Sequence, residues 1–130
     1  MTFELKPIGH IKTPYSDTIS CPNNIQANGP ICGLMLDKAY QKGLTGLEVG
    51  QWILVLYWFE NVDRDLIQQP LADGTLIGTF ALRSPHRPNP VVAAVVPIEK
   101  ISQGCITVKG LDCLNGTALI DIKPAILRET

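Results

Sequence analysis

With 130 residues, 45% of them hydrophobic and 18% charged, and a mean hydropathy of +0.15, the chain is too apolar to be disordered and long enough to bury one core. Eleven Lys and Arg against twelve Asp and Glu leave a formal net charge of −1, so no global basic field advertises nucleic-acid binding and any such contact needs a local patch. No apolar stretch reaches the roughly 18 residues that span a bilayer, and MTFELKPIGH lacks the basic and apolar regions of a secretion signal, so a cytoplasmic protein without membrane contact is expected.

Short segments rich in β-branched and aromatic residues, punctuated by Gly, Pro and Asn, run along the chain without a repeat or a long linker. This predicts a single domain over residues 1–130. The strand candidates, in order, are residues 5–12, 30–36, 52–59, 76–82, 91–98, 105–111 and 118–122. Between the second and third, residues 37–42 read as the best helix, opening on Asp37 and stopping at Gly43. The fold class expected is mainly all-β: a small antiparallel barrel or sandwich with one short helix. WILVLYWF and VVAAVV are apolar without alternation, so both faces of these strands are expected to be covered, by the rest of the barrel or by the partner subunit of a homodimer.

The absences narrow the chemistry. There is no GxGxxG, no GxxxxGK[ST] and no alternation of strands with long helices, so a Rossmann-type nucleotide site is not encoded. Cys21, Cys32, Cys105 and Cys113 form no CxxC pair and read as free thiols, and His10 and His86 are too few for a histidine-built metal site, so no metal is expected. The octapeptide RSPHRPNP, residues 83–90, is the exception to an otherwise bland composition. Three prolines fix their own φ and restrict the residue before each, so two arginines, a histidine and an asparagine are carried on a stiff extended loop. Such stiffness lowers the entropy lost on holding a ligand, although a proline-rich turn between strands would look the same.

Five further blocks accompany that loop: PIGHIKTPY at residues 7–15, GLTGLE at 43–48, LVLYWF at 54–59, GLDCLNGT at 110–117 and IDIKP at 120–124. Together with GTFALRSPHRPNP they resemble, in order and over nearly the whole chain, the TsaA/TrmO (YaeB-like) family. The resemblance implies a small β-barrel methyltransferase that uses S-adenosyl-L-methionine outside the Rossmann class, usually as a dimer. The best known members methylate the exocyclic amine of threonylcarbamoyladenosine beside the tRNA anticodon. Matched motif by motif, it implies cofactor contacts at Glu60, Asn61, Arg83, Ala93, Lys109, Gly110, Leu111 and Asp112, with the polar loop around Asn24 contributing.

The chemistry of that cofactor suggests roles. Arg83 suits its carboxylate, Asp112 or Glu60 its ribose hydroxyls or amino group, and the main chain of residues 109–112 the adenine edge. Against these stand an ion pair for Arg83 and turn capping for Asp112 and Asp121. Methyl transfer is an in-line displacement governed by alignment, and a proton leaving an acceptor amine could go to His86 or Asp121. Arg87, Asn89 and Lys123 are candidates to orient the acceptor; rim salt bridges and turn hydrogen bonds are their ordinary alternatives. Where the family has F-A-T-R, RPNP-I-G, H-x-W-V, G-T-P and IKP-Y, this chain has Leu82, Val91 and Val92, Trp52 and Leu54, Ala118 and Ala125. These apolar replacements leave two readings beside a tRNA substrate: a small-molecule acceptor, such as a metabolite or thiol, and a non-catalytic cofactor-binding relative.

Overall fold

A computed structural model describes residues 1–129 of the chain. Nine strands stand among them: β1 (Gly9–Lys12), β2 (Ile31–Leu36), β3 (Trp52–Trp58), β4 (Gln68–Pro70), β5 (Leu76–Gly78), β6 (Val91–Pro97), β7 (Lys100–Ser102), β8 (Cys105–Lys109) and β9 (Thr117–Pro124). Seven form one antiparallel sheet in the order β6-β3-β9-β1-β2-β8-β7, while β4 and β5 make a separate hairpin. The outermost strands, β6 and β7, are one run of chain interrupted only by Ile98 and Glu99. The sheet must therefore curl until its edges meet. The Glu99 N–H donates to the Thr107 carbonyl at 2.8 Å and carries the β7–β8 pairing up to the link with β6. The fold is mainly all-β, a small barrel closed by a single shared strand.

Alternation determines which side chains fill it. In β3, Ile53, Val55 and Tyr57 are fully buried, and Leu34, Ala94, Val96, Ile106, Val108 and Leu119 meet them from the other strands. The opposite face pairs Trp52 with Pro97, Leu54 with Val95, Leu56 with Ala93 and Trp58 with Val91. That outer face is apolar but only half covered, with Trp52 46% and Val91 38% exposed. The covering expected of both faces is thus present on the inner one alone in this chain.

Several boundaries differ from the sequence reading, each for a local reason. Residues 5–7 are exposed and Pro7 offers no N–H, so β1 begins only at Gly9. The run at 76–82 stops after Gly78 because the chain turns at buried Thr79, whose hydroxyl donates to the Leu66 carbonyl and accepts from Gln69 Nε2. A 3-10 helix, Thr79–Ala81, follows. The expected helix is also 3-10 and runs through Gly43, Lys38–Leu44; Asp37 makes no side-chain cap to open an α-helix. β4 and β7 carry the polar sequences QQP and KIS, which gave no strand signal.

Candidate functional site at one mouth of the barrel

Because every pairing in the sheet is antiparallel, the end of β1, the start of β2, the end of β3, the start of β6, the end of β8 and the start of β9 all lie at one mouth. Four connections gather there: residues 13–30, 59–67, 82–90 and 110–116. All the sequence candidates except Asp121 and Lys123 fall on these connections or on the strand ends beside them. At this mouth the barrel also has a seam. β8 pairs with β7 only as far as Thr107, and no hydrogen bond among the described residues joins β6 directly to β8.

One lip of the seam is β6. Phe59 N–H donates to the Pro90 carbonyl, so by antiparallel alternation the main-chain groups of Ala93, three pairs further on, turn to the free edge. Arg83 caps that edge, its Nη2 donating to the Ala93 carbonyl at 3.1 Å. Arg83 makes no ion pair among the described residues; the two present are Lys109–Glu99 at 3.3 Å and Lys123–Asp121 at 2.9 Å. The RSPHRPNP loop above is held by its surroundings. Arg87 Nη1 donates to the Leu82 and Ser84 carbonyls, both at 2.9 Å. Arg64 Nε donates to the Pro88 carbonyl at 2.7 Å, with its guanidinium 5.1 Å from the Trp58 ring centre and its Nη2 3.5 Å from Asn89 Oδ1. Gln69 Nε2 donates to the His86 carbonyl at 2.8 Å. Glu60 and Asn61 are exposed where the chain leaves β3, and Asn61 takes a φ of 60°, which asparagine tolerates.

The other lip is the turn after β8. Gly110 has a φ of +72°, and a Cβ there would sit 1.6 Å from the Gln26 carbonyl oxygen, so only glycine fits. Gly110 N–H donates to the Pro30 carbonyl and its own carbonyl accepts from Gln26 N–H, which presses the loop carrying Asn24 against the turn. Leu111 is buried in the core, and Asp112 accepts a short hydrogen bond from the Tyr57 hydroxyl. Tyr57 thus links the end of β3 to this turn; sequence reasoning passed it over, although an inward tyrosine at a strand end needs a polar partner.

The base candidates stand apart. His86 Nδ1 accepts the Asp63 N–H at 3.0 Å, so the neutral ring carries its proton on Nε2 and presents a donor to solvent. Asp121 lies opposite Leu56 on β9; Oδ1 accepts from Ile122 N–H and Oδ2 pairs with Lys123. It lines a cavity of about 470 Å³ with Leu44, Leu47 and Pro124, and no other candidate residue lines that cavity. The structure does not bring His86 and Asp121 together, and it engages Lys109 and Lys123 in ion pairs. The thiols nearby are poor nucleophiles: burial pushes Cys113 up to about 12 and raises Cys32, and burial with the Asp112 charge raises Cys21. All four cysteines are unpaired.

The family model described as the tRNA-methyltransferase O N-terminal domain matches residues 10–128. A Rhizobium radiobacter protein named "Probable S-adenosyl-L-methionine-binding protein VirR" is 39% identical over 118 residues, covering 90% of this chain and 67% of its own. The tRNA (adenine(37)-N6)-methyltransferase of Rattus norvegicus is 30% identical over 131 residues, covering 93% of this chain and 30% of the rat protein. A crystal structure of TrmO superposes with a TM-score of 0.80 at 31% identity, over 97% of this chain and 58% of that one. The chain thus spans little more than half of the solved TrmO chain and under a third of the rat enzyme.

Proposed function

This chain belongs to the tRNA-methyltransferase O N-terminal domain family, and from that premise we propose that it is an S-adenosyl-L-methionine-dependent methyltransferase whose cofactor lies in the seam between β6 and β8. The observation that carries the reading is that the two lips are built from unlike halves of one recognition set. The β6 lip offers a guanidinium on a free strand edge, Arg83 over Ala93; the β8 lip offers a carboxylate and a close-approach glycine, Asp112 beside Gly110. Arg83 pairs the amino-acid carboxylate, Asp112 accepts from the ribose, and the main chain of Lys109, Gly110 and Leu111 reads the adenine edge. Glu60, Asn61 and Asn24 close the site from the adjoining loops. The cofactor supplies an electrophilic methyl group on a sulfonium. The chain supplies alignment, and the raised thiols of Cys32 and Cys113 make them poor nucleophiles to divert the transfer.

For the acceptor we take the exocyclic amine of a modified adenosine, threonylcarbamoyladenosine, beside the tRNA anticodon, in keeping with the name of the rat relative. His86, with a donor facing outward, and exposed Asn89 orient the base, and Arg87 holds the loop that carries them. Phosphate contact falls to Lys12 and Arg64, cations of the mouth without an ion pair among the described residues. Residues 1–130 act as one domain in this reading. Two copies associate through the outer face of β3 and β6, where Leu54, Leu56, Val95 and Trp58 leave an apolar surface half bare. A small apolar acceptor is the second reading, favoured by Trp52, Leu82 and Ala125 in place of polar family residues and by Val92 in place of a glycine. The work of the chain is cytoplasmic in either case.

Titration calorimetry with S-adenosyl-L-methionine tests cofactor binding, and methyl transfer to undermodified tRNA against a metabolite extract tests the acceptor. Binding of tRNA should weaken with salt at a slope of about −0.7 to −0.9 per phosphate neutralised. Transfer to a metabolite with no measurable tRNA binding at low salt replaces the first reading with the second. Light scattering that finds only a 14.2 kDa species at micromolar concentration removes the dimer.

A further inference from the structure

The turn after β8 is pinned twice over, by two different kinds of contact. Its backbone is held by main-chain and Thr13 contacts. Gly110 exchanges hydrogen bonds with Pro30 and Gln26, the Thr13 hydroxyl donates to the Cys113 carbonyl at 2.9 Å, and Asn115 Oδ1 accepts from Thr13 N–H at 3.1 Å. None of these touches the Asp112 side chain. Its only hydrogen bond among the described residues comes from the Tyr57 hydroxyl, which reaches Oδ1 from 55 positions away in sequence. Oδ2 has no protein partner, yet no buried side-chain oxygen or nitrogen in the described structure lacks one. Oδ2 is therefore open to solvent or ligand.

We infer that Tyr57 is a positioning residue: by holding Oδ1 of Asp112 it fixes the carboxylate rotamer and aims Oδ2 at the ribose hydroxyls of the adenosyl ligand. This rests on the cofactor reading above. An exposed aspartate without such a tether rotates among staggered conformers, and ordering it on binding costs entropy that the tyrosine has already removed. The phenol is suited to the task. Its ring is fully buried, stacked edge-on against Phe59 with centroids 6.0 Å apart, so its own orientation is fixed by packing. Burial and the Asp112 charge hold its ionisation far above the ordinary tyrosine range, so it remains a donor wherever the protein is folded. Arg83 on the opposite lip has no comparable tether to another side chain, which leaves the ribose end as the rigid half of the site.

The experiment is a calorimetric double-mutant cycle with S-adenosyl-L-methionine on the full chain, using Tyr57→Phe, Asp112→Asn and the pair. Tyr57→Phe removes one oxygen and no packing volume; it should weaken binding about ten-fold, the loss of one hydrogen bond to a charged group. In the Asp112→Asn background it should weaken binding less than two-fold, and the 2′,3′-dideoxyribose analogue of the ligand should bind both tyrosine and phenylalanine forms alike. Should Tyr57→Phe not fold, Asp112→Glu keeps the charge but moves it off the phenol and should show the same ten-fold loss. Unchanged affinity in Tyr57→Phe, an equal loss in the Asp112→Asn background, or an equal loss for the dideoxy analogue overturns the inference while leaving the cofactor site intact. A wild-type chain that binds no S-adenosyl-L-methionine overturns both.

Discussion

The two mouths of this barrel differ in the balance of directed bonds and apolar contacts that closes them. At one, four loops are tied down by side chains that seek backbone carbonyls: Arg64 to Pro88, Gln69 to His86, Arg87 to Leu82 and Thr13 to Cys113. At the other, Leu36, Leu44, Leu47, Ile122 and Pro124 line a cavity beneath a 3-10 helix. Apolar contacts are non-directional and close an end of a barrel adequately, but they do not hold a polar group to within a fraction of an ångström. Directed bonds to carbonyls do. The polar mouth therefore has the rigidity a ligand site needs, and the apolar mouth has a structural character although its cavity of about 470 Å³ exceeds the one of about 390 Å³ beside Thr13 and Pro30.

The largest test of this contrast uses glycine. Gly110→Ala places a Cβ 1.6 Å from the Gln26 oxygen at a φ of +72°, and should cost at least about 3 kcal/mol in urea denaturation, with cofactor binding lost. Gly46→Ala at the apolar mouth meets nothing within 4 Å, so only its φ of +101° opposes it, and about 1 kcal/mol is expected. Equal losses would erase the distinction between the mouths.

Next in size is a binding effect. Arg83→Ala should weaken S-adenosyl-L-methionine about 30-fold, equivalent to roughly 2 kcal/mol, with the melting temperature nearly unchanged because the side chain is exposed. Asp121→Asn, in the cavity of the other mouth, should change the same affinity less than about two-fold by the same arithmetic. A larger effect at Asp121 than at Arg83 would move the site across the barrel.

Alkaline pH sharpens the contrast further. The folded chain keeps Cys113 protonated to about 12, and keeps the Tyr57 proton above its ordinary value of 10.0, whereas unfolded thiols and phenols ionise near 9.0 and 10.0. Both folded values are raised, so their contribution is fully present below pH 9.0 and is lost as pH rises toward the folded values. Stability should fall by about 1.4 kcal/mol per pH unit for each group, and Cys113→Ala should flatten the first part of that decline. Both groups flank the polar mouth, so its loop amides should lose exchange protection before those near Lys38–Leu44. The smallest effect is that of Arg64→Ala, about 1 kcal/mol in stability from a cation–aromatic contact and an exposed carbonyl bond; a loss of cofactor affinity without a change in fold would show that the RSPHRPNP loop has slackened.

Much of the architecture could be read in the residues because it depends on local pattern. β-branched and aromatic runs marked six strands close to where they stand, and the prolines of RSPHRPNP marked a stiff loop before β6. Val92, in place of the family's glycine, belongs to a regular strand opposite Tyr57 and packs against the core, so β-branching is no obstacle there. β4 and β7 were not legible, since Gln68–Pro70 and Lys100–Ser102 become strands only through the partners that present carbonyls to them. The outer face of β3 was legible only as apolar: hydrophobicity records that a surface is apolar and is silent on what covers it.

The candidate site divides along the same line. Residue types and order along the chain marked the short strands and the stiff loop that carries Arg83, which depend on backbone preferences acting over a few residues, while the resemblance of the motifs pointed to the barrel and to the glycine-aspartate turn after β8. Only the closed sheet decided that Arg83 caps the free edge at Ala93, that Tyr57 finds Asp112, and that Asp121 faces the other mouth. Those contacts join residues 10, 55 and more positions apart, and their geometry follows from curvature, register and the bulge between Leu56 and Tyr57. Such quantities are properties of the assembled barrel, because a one-residue shift of register turns every side chain to the opposite face without altering a single local preference.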